Sequence, residues 1–248
     1  MREIIVIQCQ GRKKEEQKSW RCGNQQVIFV ADKEKYAHNN GASALVPYEP
    51  DDPVSNGSTI TWRQMFLEYY QTKRKPAVLQ DADGLPEAWQ LYKDSVYEHL
   101  VRHYGKENVF ILSAGWGLVN ADYRLPPYNI TFSTAKNTPK YARTSVEKLW
   151  QRLEPLNYNP LCKIANKDTT IFFFGGRKYR DLLYYYADPI PAIKVVFYIS
   201  KKKPEDRENY SFVNVEEQLK KLGIKLANER YPYECAQLFI EGKLKPHE

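Results

Sequence analysis

The sequence predicts a single α/β domain with a mainly parallel sheet, flanked by helices and carrying insertions. Several short segments are apolar at every position, which is typical of strands buried on both faces. Helical segments lie between these strands, as the crossover connections of a parallel sheet require. The chain has 248 residues, 42% of them hydrophobic, which is enough for one sizeable core.

The first half of the chain supplies three strands and two helices. The predicted strands EIIVIQ, QVIFVA and NVFILS lie at Glu3–Gln8, Gln26–Ala31 and Asn108–Ser113. A helix is predicted over Thr61–Thr72. A stronger one begins at Pro86 and stops at Gly105, because proline suits a first turn and glycine a helix end. Residues 32–60 follow no period, which indicates a long loop within a probable insertion at 32–80.

The second half continues the alternation of helix and strand. In chain order we predict a helix at Pro139–Glu154, a strand at Thr169–Phe174, a helix at Arg177–Tyr186, a strand at Ile193–Ser200, and helices near Val215–Leu222 and Glu234–Gly242. Residues 214–248 are expected to form a C-terminal helical extension. No internal repeat is visible in the sequence.

Composition argues against several classes of protein. No window approaches the roughly 18 consecutive apolar residues of a membrane span, and the short apolar start reads as a strand instead of a signal peptide. Cys9, Cys22, Cys162 and Cys235 form no CxxC pair, so neither a zinc site nor a redox motif is expected. We therefore expect a cytoplasmic protein with reduced thiols, no metal and no cofactor.

The charge balance favours a polyanionic partner. The 37 Lys and Arg residues exceed the 30 Asp and Glu residues by 7, and DNA is the partner we expect. The 19 tyrosines supply flat faces that suit base stacking, but they equally suit an ordinary core. The sequence does not identify a protein partner.

Glycine-containing polar loops follow three of the predicted strands. These loops are CQGRKK, SAGWGL and GGRKY. Ligands of open parallel sheets bind at the carboxyl ends of the strands, and glycine lets a ligand approach the backbone closely. We expect a shared cationic cleft for phosphate, whose cations are Arg12, Lys13, Lys14, Arg177 and Lys178. Lys201–Lys203 could also follow a phosphate backbone, and no GxxxxGK[ST], GxGxxG or GxSxG motif is present.

The same loops resemble the YaaA family of peroxide-stress, DNA-binding proteins and its smaller uncharacterised relatives. The segment LSAGWGLVNADYRLPPYNITF is similar to the family's L-S-A-x-Y-G-L pattern and to the P-Y that follows it. Trp116 stands where the pattern has an aromatic residue. The other matching residues are Leu112, Ser113, Ala114, Gly117, Leu118, Pro127 and Tyr128. Cys9, Gly11 and Lys13 resemble a short S/C-x-x-K-K stretch, and Gly175, Tyr179, Leu182 and Leu183 resemble G-x-x-Y-x-x-L-L. The resemblance covers roughly residues 1–20 and 90–185. It implies a YaaA-like α/β fold with a positively charged, DNA-binding cleft.

Individual residues around the cleft are assigned roles. Asp122 is the predicted catalytic carboxylate, although it would also suit a turn or an ion pair with Arg124. Asn120, grouped with it as a predicted catalytic residue, would hydrogen-bond a base edge or else form a turn. Trp116 and Tyr128 would stack on an extruded base or else cap the core. Cys9 is either a nucleophile or a packing residue. The predicted substrate-binding residues are Ser113, Gly115, Trp116, Gly117, Tyr128, Cys9, Gly11, Gly175, Gly176 and Tyr179.

These residue types favour a DNA glycosylase that hydrolyses the N-glycosidic bond of a modified or damaged base. That reaction needs a cationic groove for the DNA backbone, aromatic side chains for the extruded base and a carboxylate near the sugar. Two alternatives stay open. One is a non-catalytic DNA-binding stress or defence protein, and the other is an N-glycosidic hydrolase of free nucleosides or nucleotides.

Overall fold

The computed structural model describes residues 2–14, 19–41, 43–72, 74, 76, 79, 84–200, 202–224 and 230–246. The strands are β1 (Arg2–Gln8), β2 (Trp20–Cys22), β3 (Gln25–Val30), β4 (Leu45–Tyr48), β5 (Val109–Ser113), β6 (Gly117–Asn120), β7 (Tyr128–Asn129), β8 (Thr169–Phe174), β9 (Ile193–Tyr198) and β10 (Tyr210–Asn214). The α-helices are α1 (Lys33–Asn40), α2 (Trp62–Thr72), α3 (Val96–Tyr104), α4 (Val146–Leu153), α5 (Arg177–Ala187), α6 (Glu216–Lys221) and α7 (Tyr231–Ile240).

A six-stranded sheet forms the centre of the molecule. Its strand order is β10-β9-β8-β1-β5-β6, and every pair is parallel except β5 with β6. Helices α3 and α7 pack together against β1, while α4 and α5 pack together near β5 and β6. Ile4–Ile7 of β1 are fully buried, so helices cover this strand on both faces. The predicted α/β class with a mainly parallel sheet is confirmed.

A smaller sheet forms around β3. This strand pairs with β2 in antiparallel orientation and with β4 and β7 in parallel. The long loop predicted after Asp32 is wrong, because this stretch contains α1 and β4. The Asp32 carboxylate caps α1 by accepting the Lys35 N–H at 2.9 Å. Pro47 is tolerated because β4 is an edge strand. Residues 42, 73, 75, 77, 78 and 80 of the predicted insertion lie outside the described part of the chain.

The helix predicted from Pro86 begins ten residues late. Its expected first half is a 3₁₀ turn at Ala88–Leu91, and α3 starts only at Val96. Backbone pairing with the loop after β1 explains the interruption. Lys14 N–H donates to Leu91 O at 3.0 Å, and Lys93 N–H donates to Arg12 O at 3.3 Å. The chain therefore becomes extended here, which places Tyr92 opposite Lys13.

Two further elements differ from expectation. Helix α4 begins at Val146, because the Ser145 hydroxyl accepts the Lys148 N–H at 3.2 Å and caps the helix there. Strand β10 was not predicted, because only Val213 of its five residues is buried and no apolar run marks it. None of the helices in the described ranges has the length and apolar composition that crossing a membrane requires.

Candidate functional site at the carboxyl edge of the sheet

The loops after β1, β5 and β8 lie side by side. Strand β1 stands between the other two in the sheet, so the three carboxyl ends share one edge. Gly176 N–H donates to Gln8 Oε1 at 2.7 Å, and Cys9 N–H donates to Leu112 O at 2.8 Å. The common edge that the sequence predicts is therefore present.

Five side chains from separate segments meet at this edge; we call them the Cys9–Lys13 cluster. Its members are Cys9, Lys13, Tyr92, Tyr128 and Tyr179. Cys9 Sγ lies 3.2 Å from the Tyr179 hydroxyl, and the hydroxyls of Tyr92 and Tyr128 are 2.9 Å apart. Lys13 Nζ lies 4.2 Å from the Tyr128 ring centroid and 5.0 Å from that of Tyr92. Four of the five are predicted site residues, whereas Tyr92 is not.

Burial controls the ionisation of the cluster. It lowers the pKa of Lys13 to about 8, while the neighbouring Cys9 opposes the shift by a smaller amount. The two ring faces favour the ammonium form, but burial outweighs them. Burial also raises the pKa values of Tyr92, Tyr128 and Tyr179 well above their usual range. The phenols are thus neutral near pH 8, where the amine is partly deprotonated.

Other tyrosines close off the ends of the strands. The hydroxyls of Tyr97, Tyr233 and Tyr231 donate to the carbonyls of Gln8, Cys9 and Gly175 at 2.8, 3.1 and 2.7 Å. These carbonyls would otherwise be unpaired where the parallel ladder ends. For these tyrosines the core interpretation is correct, and their hydroxyls are already engaged.

The predicted loop SAGWGL is the tight turn of a hairpin between β5 and β6. Ser113 Oγ accepts the N–H groups of Gly115 and Trp116 at 3.2 and 3.0 Å, and Ser113 is fully buried. Gly117 has φ +79°, which favours glycine, and it starts the returning strand. Ser113 and Gly117 are therefore turn residues, and the structure does not present their side-chain positions to a ligand.

Trp116 belongs to the core. Its side chain is only 2% exposed, and its ring packs edge-on against Phe29 and Phe66 at centroid distances of 5.2 and 5.4 Å. Base stacking on Trp116 is wrong for this structure. Tyr128 is also buried, at 3% exposed, and contributes to the edge through its hydroxyl and through the ring face that Lys13 covers.

Asp122 and Asn120 lie at the opposite edge of the sheet. Because β6 runs antiparallel, Gly117 pairs with Ser113 while Asn120 pairs with Phe110, roughly 10 Å further along the strand. Asn120 Oδ1 accepts the Asp122 N–H at 3.2 Å, as in an Asx turn. Burial and the Asp122 charge raise the pKa of Tyr70, to which Asp122 is hydrogen-bonded. The expectation that Asp122 and Asn120 face the common cleft is wrong.

A cleft of about 1000 Å³ opens beside the first turn of α5. Its basic residues are Arg177, Arg180, Lys202, Lys203 and Arg207, and its acidic residues are Glu147, Asp181, Asp188 and Glu205. Arg207 pairs with Asp188 at 2.5 Å. Arg180 Nε is buried and has no hydrogen-bond partner among the described residues. We call this the cationic cleft.

The predicted phosphate ligands separate into three groups. Arg177 lines the cationic cleft, and Lys13 lies in the Cys9–Lys13 cluster. Lys178 Nζ donates to Phe132 O at 2.6 Å, and neither Arg12 nor Lys14 lines the cleft. Arg180 is not among the predicted ligands, although it follows Arg177 by about one turn of the same helix. Lys202 and Lys203, which the sequence suggests for following a phosphate backbone, also line the cleft, and Lys201 lies outside the described residues.

The glycines that were predicted to bind substrate lie in different parts of the structure. Gly176 lines the cationic cleft, and Gly11 is exposed on the loop after β1. Gly175 is buried, and a Cβ there would lie 2.3 Å from the Phe173 ring. Gly115 is buried too and faces a different cavity.

That second cavity, of about 620 Å³, lies between the smaller sheet and α4. Arg63, only 3% exposed, forms its base. It donates through Nε to Asp51 at 2.7 Å and through Nη1 to Gly115 O at 2.6 Å. The sequence offered no signal for Arg63, which sits in an otherwise ordinary helix. Its contacts tie α2 to the turn after β5.

Metal binding has no support in the part of the chain that the structure describes. It contains no group of three or more His, Cys, Asp and Glu residues that could hold an ion. His99 uses Nδ1 in a 2.7 Å hydrogen bond with Gln237. All four cysteines are free thiols, of which Cys9 and Cys235 are buried and Cys162 is exposed.

Comparison with known proteins gives one match. The model of a family of unknown function, DUF6884, matches residues 77–197, just under half of the chain. The matched region runs from the segment before α3 to the end of β9, so it includes Tyr92, Tyr128, Tyr179 and Arg180. No curated protein and no solved structure matches the chain.

Proposed function

We propose that this chain is a DNA-binding protein that acts on nucleobases and holds the DNA backbone in the cationic cleft. The observation that carries the proposal is Arg180, whose buried Nε lacks an acceptor among the described residues. A buried donor without a partner is costly, and a phosphate oxygen would satisfy it.

The surroundings of Arg180 suit the same ligand. Arg177, Lys202 and Lys203 line the same cleft, and the N-terminus of α5 lies at it. The first backbone N–H groups of a helix lack intrahelical partners, which favours an anion there. The cleft also contains carboxylates. With Arg207 paired to Asp188, four basic residues remain against the three acidic residues Glu147, Asp181 and Glu205. Guanidinium groups bind phosphate in a bidentate manner, which favours a backbone of repeated phosphates.

Helix α5 connects the cationic cleft to the Cys9–Lys13 cluster. Tyr179, in the first turn of the helix, contacts Cys9, while Arg177 and Arg180 line the cleft. Tyr179 and the two arginines lie on different faces of the helix, and both regions lie at the carboxyl edge of the sheet. We infer that a strand held by its phosphates in the cleft extends along this edge to the cluster. The resemblance to YaaA proteins supports DNA binding. The Cys9–Lys13 cluster supplies a thiol and an amine of lowered pKa beside the cleft, and we propose hydrolysis of an N-glycosidic bond in DNA as the reaction.

Salt-dependent DNA binding tests the cleft. Arg177→Ala/Arg180→Ala should weaken binding and lower the slope of log K against log salt by about 2, because each lost phosphate contact removes about one unit. Arg102→Ala/Lys220→Ala removes the same charge from exposed positions outside the cleft lining and is the matched control. Equal weakening by both double variants would contradict the proposal.

Base release tests the reaction. The protein is incubated with single- and double-stranded DNA containing assorted modified bases, and free base is measured by mass spectrometry. Tight binding without release would favour the non-catalytic alternative. Release from free nucleosides without salt-sensitive DNA binding would favour the nucleoside hydrolase.

A further inference from the structure

Lys13 has unusual surroundings for a lysine near the surface. Its Nζ donates to Gln10 O at 2.8 Å and otherwise faces the rings of Tyr92 and Tyr128. No carboxylate within the described ranges forms an ion pair with it. The ring faces favour the ammonium form, but desolvation of an amine that has no counter-ion among the described residues favours the neutral form. The neutral amine is the nucleophile.

We propose that Lys13 is a nucleophilic amine that forms a Schiff base with an aldehyde. The Nζ lone pair bonds to the aldehyde carbon, and the carbonyl π pair moves to oxygen. The resulting carbinolamine loses its hydroxyl as water, Nζ gives up two protons in all, and an imine remains. The step consumes no oxidant or reductant.

The ring-opened sugar of an abasic site is the aldehyde that DNA would supply, and this part of the inference rests on the proposed function. In a glycosylase the same amine would attack the sugar carbon, and the base would leave with the bonding pair and take a proton from solvent. Lys13, and not Asp122, would then be the group that meets the sugar. The reactivity of the amine toward free aldehydes does not depend on DNA.

The loop that carries Lys13 is open to a substrate. Lys13 retains partial exposure, and the adjacent Gly11 and Arg12 are exposed. A Cβ built on Gly11 would have no atom within 4 Å. The Cys9 thiol, by contrast, is only 4% exposed and is engaged with Tyr179. Lys13 is therefore a more exposed residue than Cys9, the other nucleophile of the cluster.

Reductive trapping tests the proposal on the full chain. The protein is treated at about pH 8 with glycolaldehyde and sodium cyanoborohydride, which reduces an imine to a stable amine, and modified peptides are mapped by mass spectrometry. Burial lowers the pKa of Lys13 to about 8 from 10.5, so its neutral fraction should be roughly 100-fold that of an ordinary lysine. We expect labelling among the lysine side chains to be concentrated on Lys13, and we expect this preference to be lost in urea.

Two variants and a DNA substrate complete the test. Lys13→Arg should remove the dominant adduct, while Lys14→Arg, the neighbouring control, should leave it intact. Labelling spread evenly over the lysines of the native protein, or concentrated on a lysine other than Lys13, would overturn the proposal without any variant. An abasic oligonucleotide should cross-link to Lys13 under the same conditions, and its tetrahydrofuran analogue should not. Strong glycolaldehyde labelling without this cross-link would support the amine and count against the DNA function.

Discussion

The lowered pKa of Lys13 predicts that the protein becomes more stable as the pH rises above neutrality. Burial holds this pKa at about 8 in the folded chain, against 10.5 for an ordinary lysine. Between these values the unfolded chain binds more protons than the folded chain, so the free energy of unfolding increases with pH. Linkage gives an increase of about 2 kcal/mol between about pH 7.5 and about pH 9.5.

Urea unfolding of the wild type and of Lys13→Met across this range measures the effect. Methionine has a similar length and no charge, so the variant should lack the increase and be more stable at about pH 7.5 by up to about 3 kcal/mol. Above about pH 10 both proteins should lose stability. The reason is that burial raises the pKa values of Tyr92 and Tyr128 well above 10.0, and only the unfolded chain then releases these protons.

The comparison also has a clear negative outcome. In that outcome, the free energy of unfolding changes equally with pH in the wild type and in Lys13→Met between about pH 7.5 and about pH 9.5. Lys13 would then titrate as a solvated lysine, and the reasoning from burial would be refuted. The Lys14→Met variant controls for the loss of a charge from the same loop.

Three further predictions concern the scaffold around the site. Arg63→Met should lower the free energy of unfolding by about 3–5 kcal/mol in urea titrations, because it leaves a partly buried carboxylate and a carbonyl without their partner. Gly117→Ala should cost about 1–3 kcal/mol in the same assay, because φ is +79° and the new Cβ would lie 2.5 Å from the Tyr186 hydroxyl. Iodoacetamide should modify exposed Cys162 in the native protein but buried Cys9 only after unfolding, as read by peptide mass spectrometry.

The central strands could be predicted because their burial is visible in the sequence. Every residue of Thr169–Phe174 is buried, and so are five of the seven residues of Arg2–Gln8. Such continuous apolar runs indicate strands covered on both faces. Strand β10 is an edge strand with a single buried residue, so the same signal is missing there.

The common edge of the sheet could be predicted, but its contents could not. Parallel strands place their carboxyl ends together, which brought Cys9, Lys13 and Tyr179 to one place as expected. Tyr92 joins them only because the chain pairs with the loop after β1 instead of continuing a helix. That pairing is a long-range contact, and local helical periodicity gives no indication of it.

The error over Asp122 comes from the direction of a single strand. The glycines of SAGWGL were interpreted as a ligand loop, whereas they form a hairpin turn that sends β6 back along β5. Residues after Gly117 consequently move away from the carboxyl edge. A ligand loop and a tight hairpin turn both require glycine, so composition alone cannot separate them.

Hydrogen–deuterium exchange with and without DNA tests most directly whether the carboxyl edge binds DNA. On DNA binding we expect slower exchange in the peptides that cover residues 9–14, 176–184 and 198–207. Exchange in the peptides that cover residues 118–124 should not change. Protection of residues 118–124 without protection of the other three regions would place the DNA at the opposite edge and contradict the account.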